Sequence, residues 1–357
     1  MLFHYSHLIV KNAPRHFRAL QTKSLTRPPL GFAFDIDGVL LAGSQPIPGA
    51  SRALQILNGD NQLNLKIPYI LLTNGGGSTE EERARKLSSR LGVEISSSQI
   101  VQAHTVLKDF TQEYADKAVL CLGGIGNQMS KVAESYGFRR AYTTTDVLAW
   151  NSSVWPFMHV SGSDLASAKQ IDFSRTPISA VFVFHDPRNW GVDVQIMCDI
   201  IQSGGVIGSP YVDSATRRDR KIQIIFCNPD LLWKSDFARP RLGQGAFRES
   251  FQAVFKAAEL DRVNVSSRPA WKTDSSNDVG FDLFLLLNQS LIQWTRRWMI
   301  GDNPESDIAG ANAAGWSSVL VPGVYDPTVG VRPTHEPTHI AQNVEEAVLW
   351  AIEREIS

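Results

Sequence analysis

Cysteine is scarce in this sequence, and no long apolar run occurs in it. The three cysteines are scattered, without a Cys-x-x-Cys pair or a histidine at ligand spacing, which argues against both a disulfide framework and a zinc site. The longest strongly apolar run, Phe281 to Leu287, is far shorter than the roughly 18 residues that a membrane span needs. We therefore expect a protein of a reducing compartment with no integral membrane segment.

A surplus of either charge sign is also missing. The 357 residues carry 35 Lys and Arg against 36 Asp and Glu, which gives a formal net charge of -1. Nucleic acids and anionic membrane surfaces are bound mainly through clustered positive charge, so this balance argues against a nucleic-acid partner. The length is near the size at which one hydrophobic core gives way to several, and we expect two domains.

Acidic residues are absent from the first 34 positions, although five Lys and Arg occur there. Wound as a helix, this segment places Lys11, Arg15 and Arg18 on one face and apolar side chains nearly opposite. Such a basic amphipathic segment, without a continuous apolar stretch, is typical of a mitochondrial transit peptide rather than a secretory signal. We expect residues 1–27 to be such a peptide and the protein to be located in the mitochondrial matrix. A disordered basic tail is the alternative.

Short apolar runs alternate with amphipathic segments along the rest of the chain. The predicted strands are residues 31–34, 67–72, 118–122, 178–184, 222–226, 297–300 and 317–321. The predicted helices are residues 49–57, 79–91, 127–136, 193–202, 245–259 and 305–314. This alternation predicts an α/β fold with parallel sheets and helices on both faces. Residues 265–295 show neither the apolar pattern of a strand nor that of a helix.

Two acidic residues end the first predicted strand, in the segment FDIDGVL of residues 34–40. If the strand continues through both, alternation points Asp35 and Asp37 to the same side. At the carboxyl end of a parallel strand, that side faces the crevice in which open α/β sheets bind ligands. An ordinary solvated turn explains this segment equally well when it is taken alone.

A second acidic pair follows the predicted strand at residues 297–300, in the segment GDNPESD of residues 301–307. Together with the first pair, Asp302 would supply the few hard oxygen ligands that Mg²⁺ prefers. Asp307 lies about one helical turn further on and could bind the metal or orient its waters. An N-capped surface helix explains either acid singly, but it does not explain two strands with acidic ends.

A third polar strand end is found at Thr73 and Asn74, which three glycines follow. A hydroxyl and an amide can donate hydrogen bonds to phosphate oxygens, and glycines allow the backbone to approach closely. A strand, a loop and a helix cap would explain this segment without any ligand.

The segments DIDGVL, LLTN and GDNPESDIAGAN, in this order and on strands, resemble three motifs of the haloacid dehalogenase (HAD) superfamily. PISAVFVFHDPRNWGVDVQIMCDII, FCNPDLLW and PRLGQGAF are similar to its subclass IIA, in the branch named for the cat eye syndrome critical region, which includes mitochondrial proteins. The resemblance implies a doubly wound parallel-sheet HAD core at residues 28–116 and 263–357. It also implies an inserted C2-type α/β cap domain at residues 117–262, through which an oligomer could form.

The resemblance also implies roles for the matching residues. Asp35 resembles the nucleophile that forms an aspartyl-phosphate, and Asp37 resembles the general acid that later serves as the base. Thr73 and Asn74 are implied to hold the transferring phosphoryl group. The predicted Mg²⁺ ligands are Asp35, Asp37, Asp302 and Asp307.

One motif of the superfamily has no direct counterpart in this chain. The third motif is usually Gly-Lys-Pro, whose lysine binds the phosphate, and this tripeptide does not occur. Lys272 is the only lysine after Lys256, and Arg268-Pro269 stands about where Lys-Pro is expected. We assign phosphate binding to Lys272 and keep Arg268 as the alternative, although arginine is not a simple replacement for lysine.

The sequence thus predicts a Mg²⁺-dependent phosphatase of a small phosphorylated metabolite, and the resemblance points towards glycerophospholipid metabolism. A non-catalytic member that binds a ligand or partner through the same cleft is the alternative, because the third motif is altered and a fold alone does not establish activity. A dehalogenase on this fold is disfavoured, because the acid Asp37 suits protonation of the leaving group of a phosphate ester.

Overall fold

The computed structural model describes residues 30–212, 222–233, 237, 239–257 and 294–356. The predicted transit peptide lies outside these ranges, as do Lys272 and Arg268, the two candidates for the third motif. In the described part of the chain, strands and helices alternate and all the longer strands are parallel, so the predicted α/β fold is confirmed.

The strands of the described residues, in chain order, are β1 (Leu30–Asp35), β2 (Leu41–Ala42), β3 (Gln45–Pro46), β4 (Tyr69–Thr73), β5 (Ile100–Gln102), β6 (Ala118–Leu122), β7 (Ala141–Tyr142), β8 (Ile178–Val183), β9 (Gln223–Phe226), β10 (Leu232–Trp233), β11 (Arg241–Leu242), β12 (Arg296–Gly301), β13 (Ser317–Leu320) and β14 (His339–Ile340). The α-helices are α1 (Ala50–Leu57), α2 (Glu80–Leu91), α3 (Thr111–Tyr114), α4 (Gln128–Tyr136), α5 (Thr144–Trp150), α6 (Gly162–Ser167), α7 (Trp190–Gln202), α8 (Gln244–Ala257), α9 (Ala309–Ala313) and α10 (Val344–Ile356). Short 3-10 turns lie at Ser97–Gln99, Ala103–Phe110, Ser152–Val154 and Pro327–Val329.

Six parallel strands form the larger sheet, in the order β14-β13-β12-β1-β4-β5. Strand β1 lies between β12 and β4, with Phe34 opposite Ile300 on one side and Leu71 on the other. Because these strands run in the same direction, their carboxyl ends meet at one edge of the sheet. The three polar segments that follow β1, β4 and β12 are thereby brought together.

Alternating side chains of the larger sheet enter two hydrophobic clusters, one on each face. Phe32 belongs to the cluster that includes residues of α1 and α10, whereas the neighbouring Ala33 packs with Trp316 on the other face. A sheet covered on both faces explains why its strands are apolar at nearly every position. The buried strands fix the backbone from which the polar strand ends project.

Four parallel strands form the smaller sheet, in the order β7-β6-β8-β9. Its two faces are covered by separate clusters, one containing Phe226 and Phe251 and the other Phe182. Residues Leu107 and Tyr114, which precede β6, pack in the second of these clusters. The predicted cap boundaries at residues 117 and 262 stay a prediction, and the second lies outside the described residues.

The segment predicted as one helix at residues 305–314 is divided in the structure. A π-helical turn at Pro304–Ile308 precedes α9, and the Ile308 amide donates to the carbonyl of Asn303, five residues back. Strand β14, which has only two residues, and helix α10 are among the elements that were not predicted. Helix α10 was missed although its buried residues follow the helical period. No helix of the described residues is long and apolar enough to cross a membrane.

Candidate active site

Three carboxylates cluster where β1 and β12 end. Asp35 is the last residue of β1, Asp302 follows β12, and Asp307 lies in the π-helical turn. Each offers one oxygen atom, and these oxygens lie within 4.8 Å of one another. Within the described ranges, this is the one group of three or more His, Cys, Asp or Glu residues placed to hold a metal ion.

Backbone amides hold two of these carboxylates in place. Asp307 Oδ2 accepts hydrogen bonds from the amides of Asp302 and Asn303, each at 3.0 Å. Asp302 Oδ2 accepts from the amide of Val324 at 2.7 Å. The π-helical turn therefore has a function that the sequence did not reveal, because it turns Asp307 back towards the strand end.

Glycines surround the Asp302 carboxylate because no side chain fits beside it. A Cβ on Gly38 would lie 2.2 Å from Asp302 Oδ2, and a Cβ on Gly323 would lie 2.1 Å from the same atom. Gly38 also has a φ of 110°, which residues with a side chain rarely adopt. Glycine is thus required at position 38 for two reasons. Its backbone conformation disfavours a side chain, and the Asp302 carboxylate leaves no space for one.

Crowding of the three acids disfavours their ionised forms. Burial, followed by the charges of Asp307 and Asp302 and then of Asp37, raises the pKa of Asp35 well above its ordinary value. Burial, followed by the charge of Asp302, raises the pKa of Asp307 to about 7. A divalent cation among hard oxygen donors would relieve this repulsion, so the donor set fits Mg²⁺.

Asp37 lies outside this cluster of three acids. Strand β1 ends at Asp35, so the alternation that predicted a common direction for both carboxylates stops before Asp37. The Asp37 side chain is 57% exposed, and its Oδ2 atom lies 3.2 Å from Thr73 Oγ1 and 3.3 Å from Arg83 Nη2. Its predicted part in metal binding stays a prediction, whereas its exposure suits proton exchange with a ligand or water.

The two polar residues that end β4 point in different directions. Thr73 Oγ1 accepts a hydrogen bond from the amide of Gly75 at 2.9 Å and donates to Asp37. The Asn74 side-chain amide donates to Asp230 Oδ2 at 2.9 Å, and Asp230 belongs to the segment that follows the smaller sheet. Thr73 and Asn74 therefore connect the acidic site with the cap.

Asp230 was missed by the sequence reasoning. Its amide donates to Asn228 Oδ1 at 2.8 Å, while the Asn228 side-chain amide reaches the carbonyl of Asn74 at 3.4 Å. Gln244 Oε1 in turn accepts from the amide of Asn228 at 2.8 Å. The segments FCNPD and GQG, which served only to recognise the family, thus build the contact of the cap with Asn74. Burial raises the pKa of Asp230.

Two histidines enclose the glycine turn, residues 75–77, which follows Asn74. A Cβ on Gly76 would lie 2.8 Å from His104 Cδ2, and one on Gly77 would lie 3.1 Å from His185 Cδ2. His185 comes from the segment after β8, so the smaller sheet contributes to this enclosure as well. The glycines are needed here because two imidazoles occupy the space that side chains would take.

Comparison with known proteins identifies the family of this site. A model of haloacid dehalogenase-like hydrolases matches residues 32–139, and a HAD-hydrolase-like model matches residues 285–347. A mitochondrial hydrolase of Saccharomyces cerevisiae is 35% identical over an alignment that covers 92% of this chain and 97% of the relative. The chain is a haloacid dehalogenase-like hydrolase. The recognition made from the motifs is confirmed.

Another relative of this HAD hydrolase is a fusion protein of Schizosaccharomyces pombe, named a cardiolipin synthase (CMP-forming) / mitochondrial hydrolase fusion. It is 36% identical over 98% of the chain. The chain spans 58% of the length of the fusion protein.

Solved structures share the fold at low sequence identity. A 4-nitrophenylphosphatase of Thermotoga maritima superposes with a TM-score of 0.59 at 17% identity, covering 91% of this chain and 97% of that one. A glycerol phosphate phosphatase of Mycobacterium tuberculosis in complex with magnesium gives 0.56 at 18% identity, covering 88% and 76%. These similarities show that the HAD hydrolase has the predicted core and inserted cap.

Proposed function

We propose that this HAD hydrolase is a Mg²⁺-dependent phosphatase that cleaves small phosphate monoesters through an aspartyl-phosphate on Asp35. The observation that carries the proposal is the cluster of Asp35, Asp302 and Asp307 at the carboxyl edge of the larger sheet. An exposed Asp37 and the Thr73 hydroxyl lie beside it. This arrangement supplies a nucleophile, a proton donor and metal ligands in one crevice.

Asp35, Asp302 and Asp307 would hold the metal ion. The ion would offset the repulsion between their carboxylates and an anionic phosphate and would act as a Lewis acid. The pKa values of Asp35 and Asp307 are raised first by burial and then by the neighbouring acids, and a cation bound among these carboxylates would offset both effects.

The chain's own residues would carry the two covalent steps. In the first, a carboxylate oxygen of Asp35 bonds to phosphorus, the bond to the ester oxygen breaks, and Asp37 gives its proton to that oxygen. In the second, Asp37 takes a proton from water as the water oxygen bonds to phosphorus. The bond between phosphorus and Asp35 breaks, which releases inorganic phosphate, restores the Asp35 carboxylate and leaves Asp37 protonated for the next cycle. Thr73 and Asn74 are the proposed phosphate-holding residues.

The names of relatives support the substrate class. A curated relative of Schizosaccharomyces pombe, 29% identical over 32% of the chain, is a 4-nitrophenylphosphatase, and two of the structural neighbours are phosphatases of small esters. The fusion of a relative to a cardiolipin synthase supports a link to glycerophospholipid metabolism. We propose a glycerol-phosphate-like metabolite as the first substrate to test.

A panel of phosphate monoesters, assayed with Mg²⁺ and with EDTA, tests the phosphatase proposal. Mg²⁺-dependent phosphate release is expected from the wild type and none from Asp35→Asn. The exposed Asp109, replaced by Asn, is the matched control and is expected to leave the rate unchanged. Release that persists in Asp35→Asn would contradict the nucleophile. A wild type that binds metal and phosphate but hydrolyses no ester would favour the non-catalytic alternative.

We also propose that the hydrolase acts in the mitochondrial matrix. Two curated relatives carry the word mitochondrial in their names, and the first 34 residues contain basic but no acidic side chains. A membrane potential that is negative inside favours entry of each positive charge by about 2.3 kcal/mol per 100 mV. Replacing Lys11, Arg15 and Arg18 by Glu is therefore expected to abolish import of the tagged protein. Unchanged import of this variant would contradict the proposal.

A further inference from the structure

Arg83 extends from helix α2 to the edge of the acidic site. Its Nη2 atom lies 3.3 Å from Asp37 Oδ2, the oxygen that Thr73 Oγ1 also approaches. A Cβ on Gly75 would lie 3.0 Å from Thr73 Oγ1, 3.5 Å from Asp37 Oδ2 and 3.7 Å from Arg83 Nη2. The guanidinium, the hydroxyl and the catalytic carboxylate therefore surround the start of the glycine turn.

Most of the hydrogen-bonding capacity of Arg83 is unused within the described residues. A guanidinium carries five N–H donors in a rigid plane, and the structure records one contact for this one, with Asp37. Arg83 Nε is buried without a hydrogen-bond partner in the described part of the chain. The side chain is nevertheless 22% exposed, so it can be reached from the crevice.

The charge balance of the site calls for a cation at this position. Even with Asp37 protonated, the carboxylates of Asp35, Asp302 and Asp307 and an incoming phosphate bring more negative charge than one divalent metal ion offsets. In the superfamily the third-motif lysine meets part of this need, and the Gly-Lys-Pro tripeptide does not occur in this chain. A guanidinium is always charged and binds two oxygen groups at once, so it can contact Asp37 and a phosphate oxygen together.

We propose that Arg83 binds a non-bridging oxygen of the phosphoryl group, so that the phosphate-binding cation of this hydrolase comes from helix α2 rather than from the third motif. The inference rests on the proposed phosphatase function. In this role Arg83 would stabilise the charge on the phosphoryl oxygens during both steps. A purely structural Arg83 would only hold Asp37 in place, and the two roles have different experimental consequences.

Binding of inorganic phosphate tests the role without turnover. In calorimetric titrations with Mg²⁺ present, Arg83→Gln is expected to bind phosphate about 10- to 100-fold more weakly than the wild type, the range for a hydrogen bond between charged groups. Arg83→Lys keeps the charge and is expected to recover part of the loss. Arg85→Gln, at an exposed position of the same helix, is the matched control and is expected to bind normally. Equal affinity in Arg83→Gln and the wild type would overturn the proposal, as would a wild type that binds no phosphate.

The leaving group separates the two roles of Arg83 in catalysis. 4-Nitrophenolate leaves without a proton, whereas the alkoxide of glycerol phosphate needs one from Asp37. If Arg83 binds the phosphoryl group, Arg83→Gln lowers kcat/KM by a similar factor, about 100-fold, for both esters. A loss confined to glycerol phosphate would show that Arg83 only positions Asp37, and would overturn the proposal.

A fourth variant compares Arg83 with Lys272, the residue to which the sequence analysis assigned phosphate binding. Lys272→Gln is expected to keep phosphate affinity close to that of the wild type, and thermal melting of each variant shows whether it is folded. If Lys272→Gln loses affinity and a folded Arg83→Gln does not, the third motif provides the cation and the proposal is wrong. A wild type that hydrolyses no ester would contradict the phosphatase function alone, because the phosphate titrations still decide the role of Arg83.

Discussion

His104 is a buried histidine that the fold keeps neutral. Its Nδ1 atom lies 2.7 Å from Tyr136 Oη, and the tyrosine hydroxyl donates to Glu80 Oε1 at 2.7 Å. The imidazole therefore donates from Nδ1, while Nε2 has no partner among the described residues. Burial lowers the pKa of His104 to about 4, and the nearby charge of Glu80 offsets only part of this effect.

This neutral histidine predicts a specific sensitivity to acid. Its pKa is lower in the folded than in the unfolded chain, so the unfolded chain binds more protons between pH 6.5 and about 4. The associated stability is complete above pH 6.5 and is lost as the pH falls through this window, by at most about 3 kcal/mol. Urea unfolding at several pH values should show a shallower acid dependence for His104→Gln than for the wild type. If the free energy of unfolding falls with decreasing pH equally in His104→Gln and in the wild type, His104 is not a buried neutral imidazole.

Gly38 and Gly59 form a natural pair for testing how the Asp302 carboxylate is positioned. Their φ values are 110° and 122°, but a Cβ would clash with Asp302 only at Gly38, since nothing lies within 4 Å at Gly59. Alanine should cost about 1–3 kcal/mol of backbone strain at either site. Only Gly38→Ala is expected to weaken Mg²⁺ binding and phosphate release as well. If titration shows the same loss of metal affinity in both variants, the clash of a Cβ at position 38 with the Asp302 carboxylate is not what weakens Mg²⁺ binding.

At the scale of elements, the sequence predicts strand ends better than the contacts between them. Strands β1, β4 and β12 were located within two residues because their apolar runs stop abruptly at polar motifs. The π-helical turn was not predicted, because it depends on Asp307 accepting backbone hydrogen bonds from residues before it. Local periodicity does not contain such information.

Residues that reach the site across a long sequence separation were likewise beyond prediction. Arg83 lies 46 positions from Asp37, and Asp230 lies 156 positions from Asn74. Arg83 belongs to none of the motifs quoted for the family, and Asp230 belongs to one that indicated the family without indicating a contact with Asn74. Both residues reach the site only because helix α2 and the smaller sheet pack where they do. Asp35 and Asp302 could be predicted together because the parallel strands β1 and β12 end at one edge of the sheet, and Asp307 follows Asp302 closely in the sequence.

Tyr136 joins three elements through its hydroxyl group, and its removal tests how much they depend on one another. Helix α4 carries this residue, which contacts His104 of the Ala103–Phe110 turn and Glu80 of helix α2. Tyr136→Phe leaves a buried donor and acceptor with one partner fewer and should cost about 1–3 kcal/mol in urea unfolding. Tyr142→Phe is the control, because the structure records no hydrogen bond to that hydroxyl within the described residues. If Tyr136→Phe lowers the free energy of unfolding no more than Tyr142→Phe does, the three elements do not depend on one another through the Tyr136 hydroxyl.

At the scale of the whole molecule, two sheets with separate hydrophobic cores meet at the active site. The larger sheet packs around residues such as Leu54 and Trp298, and the smaller sheet packs around residues such as Phe251. Polar contacts connect them near the glycine turn, among them the hydrogen bond between Asn74 and Asp230. Asp35 ends one strand of the larger sheet, and Asp302 and Asp307 follow another, so the proposed nucleophile and metal ligands do not depend on residues of the smaller sheet.

Two separate cores predict two separate unfolding steps. Leu54→Ala and Phe251→Ala each empty a fully buried position, in α1 and α8 respectively, and should each cost about 2–5 kcal/mol. If the sheets unfold as distinct units, calorimetry should resolve two transitions, each lowered mainly by the substitution in its own core. Mg²⁺ with phosphate should raise the transition that Leu54→Ala lowers, because the proposed metal ligands belong to the larger sheet. One transition, lowered equally by both substitutions, would show that the core and the cap unfold together.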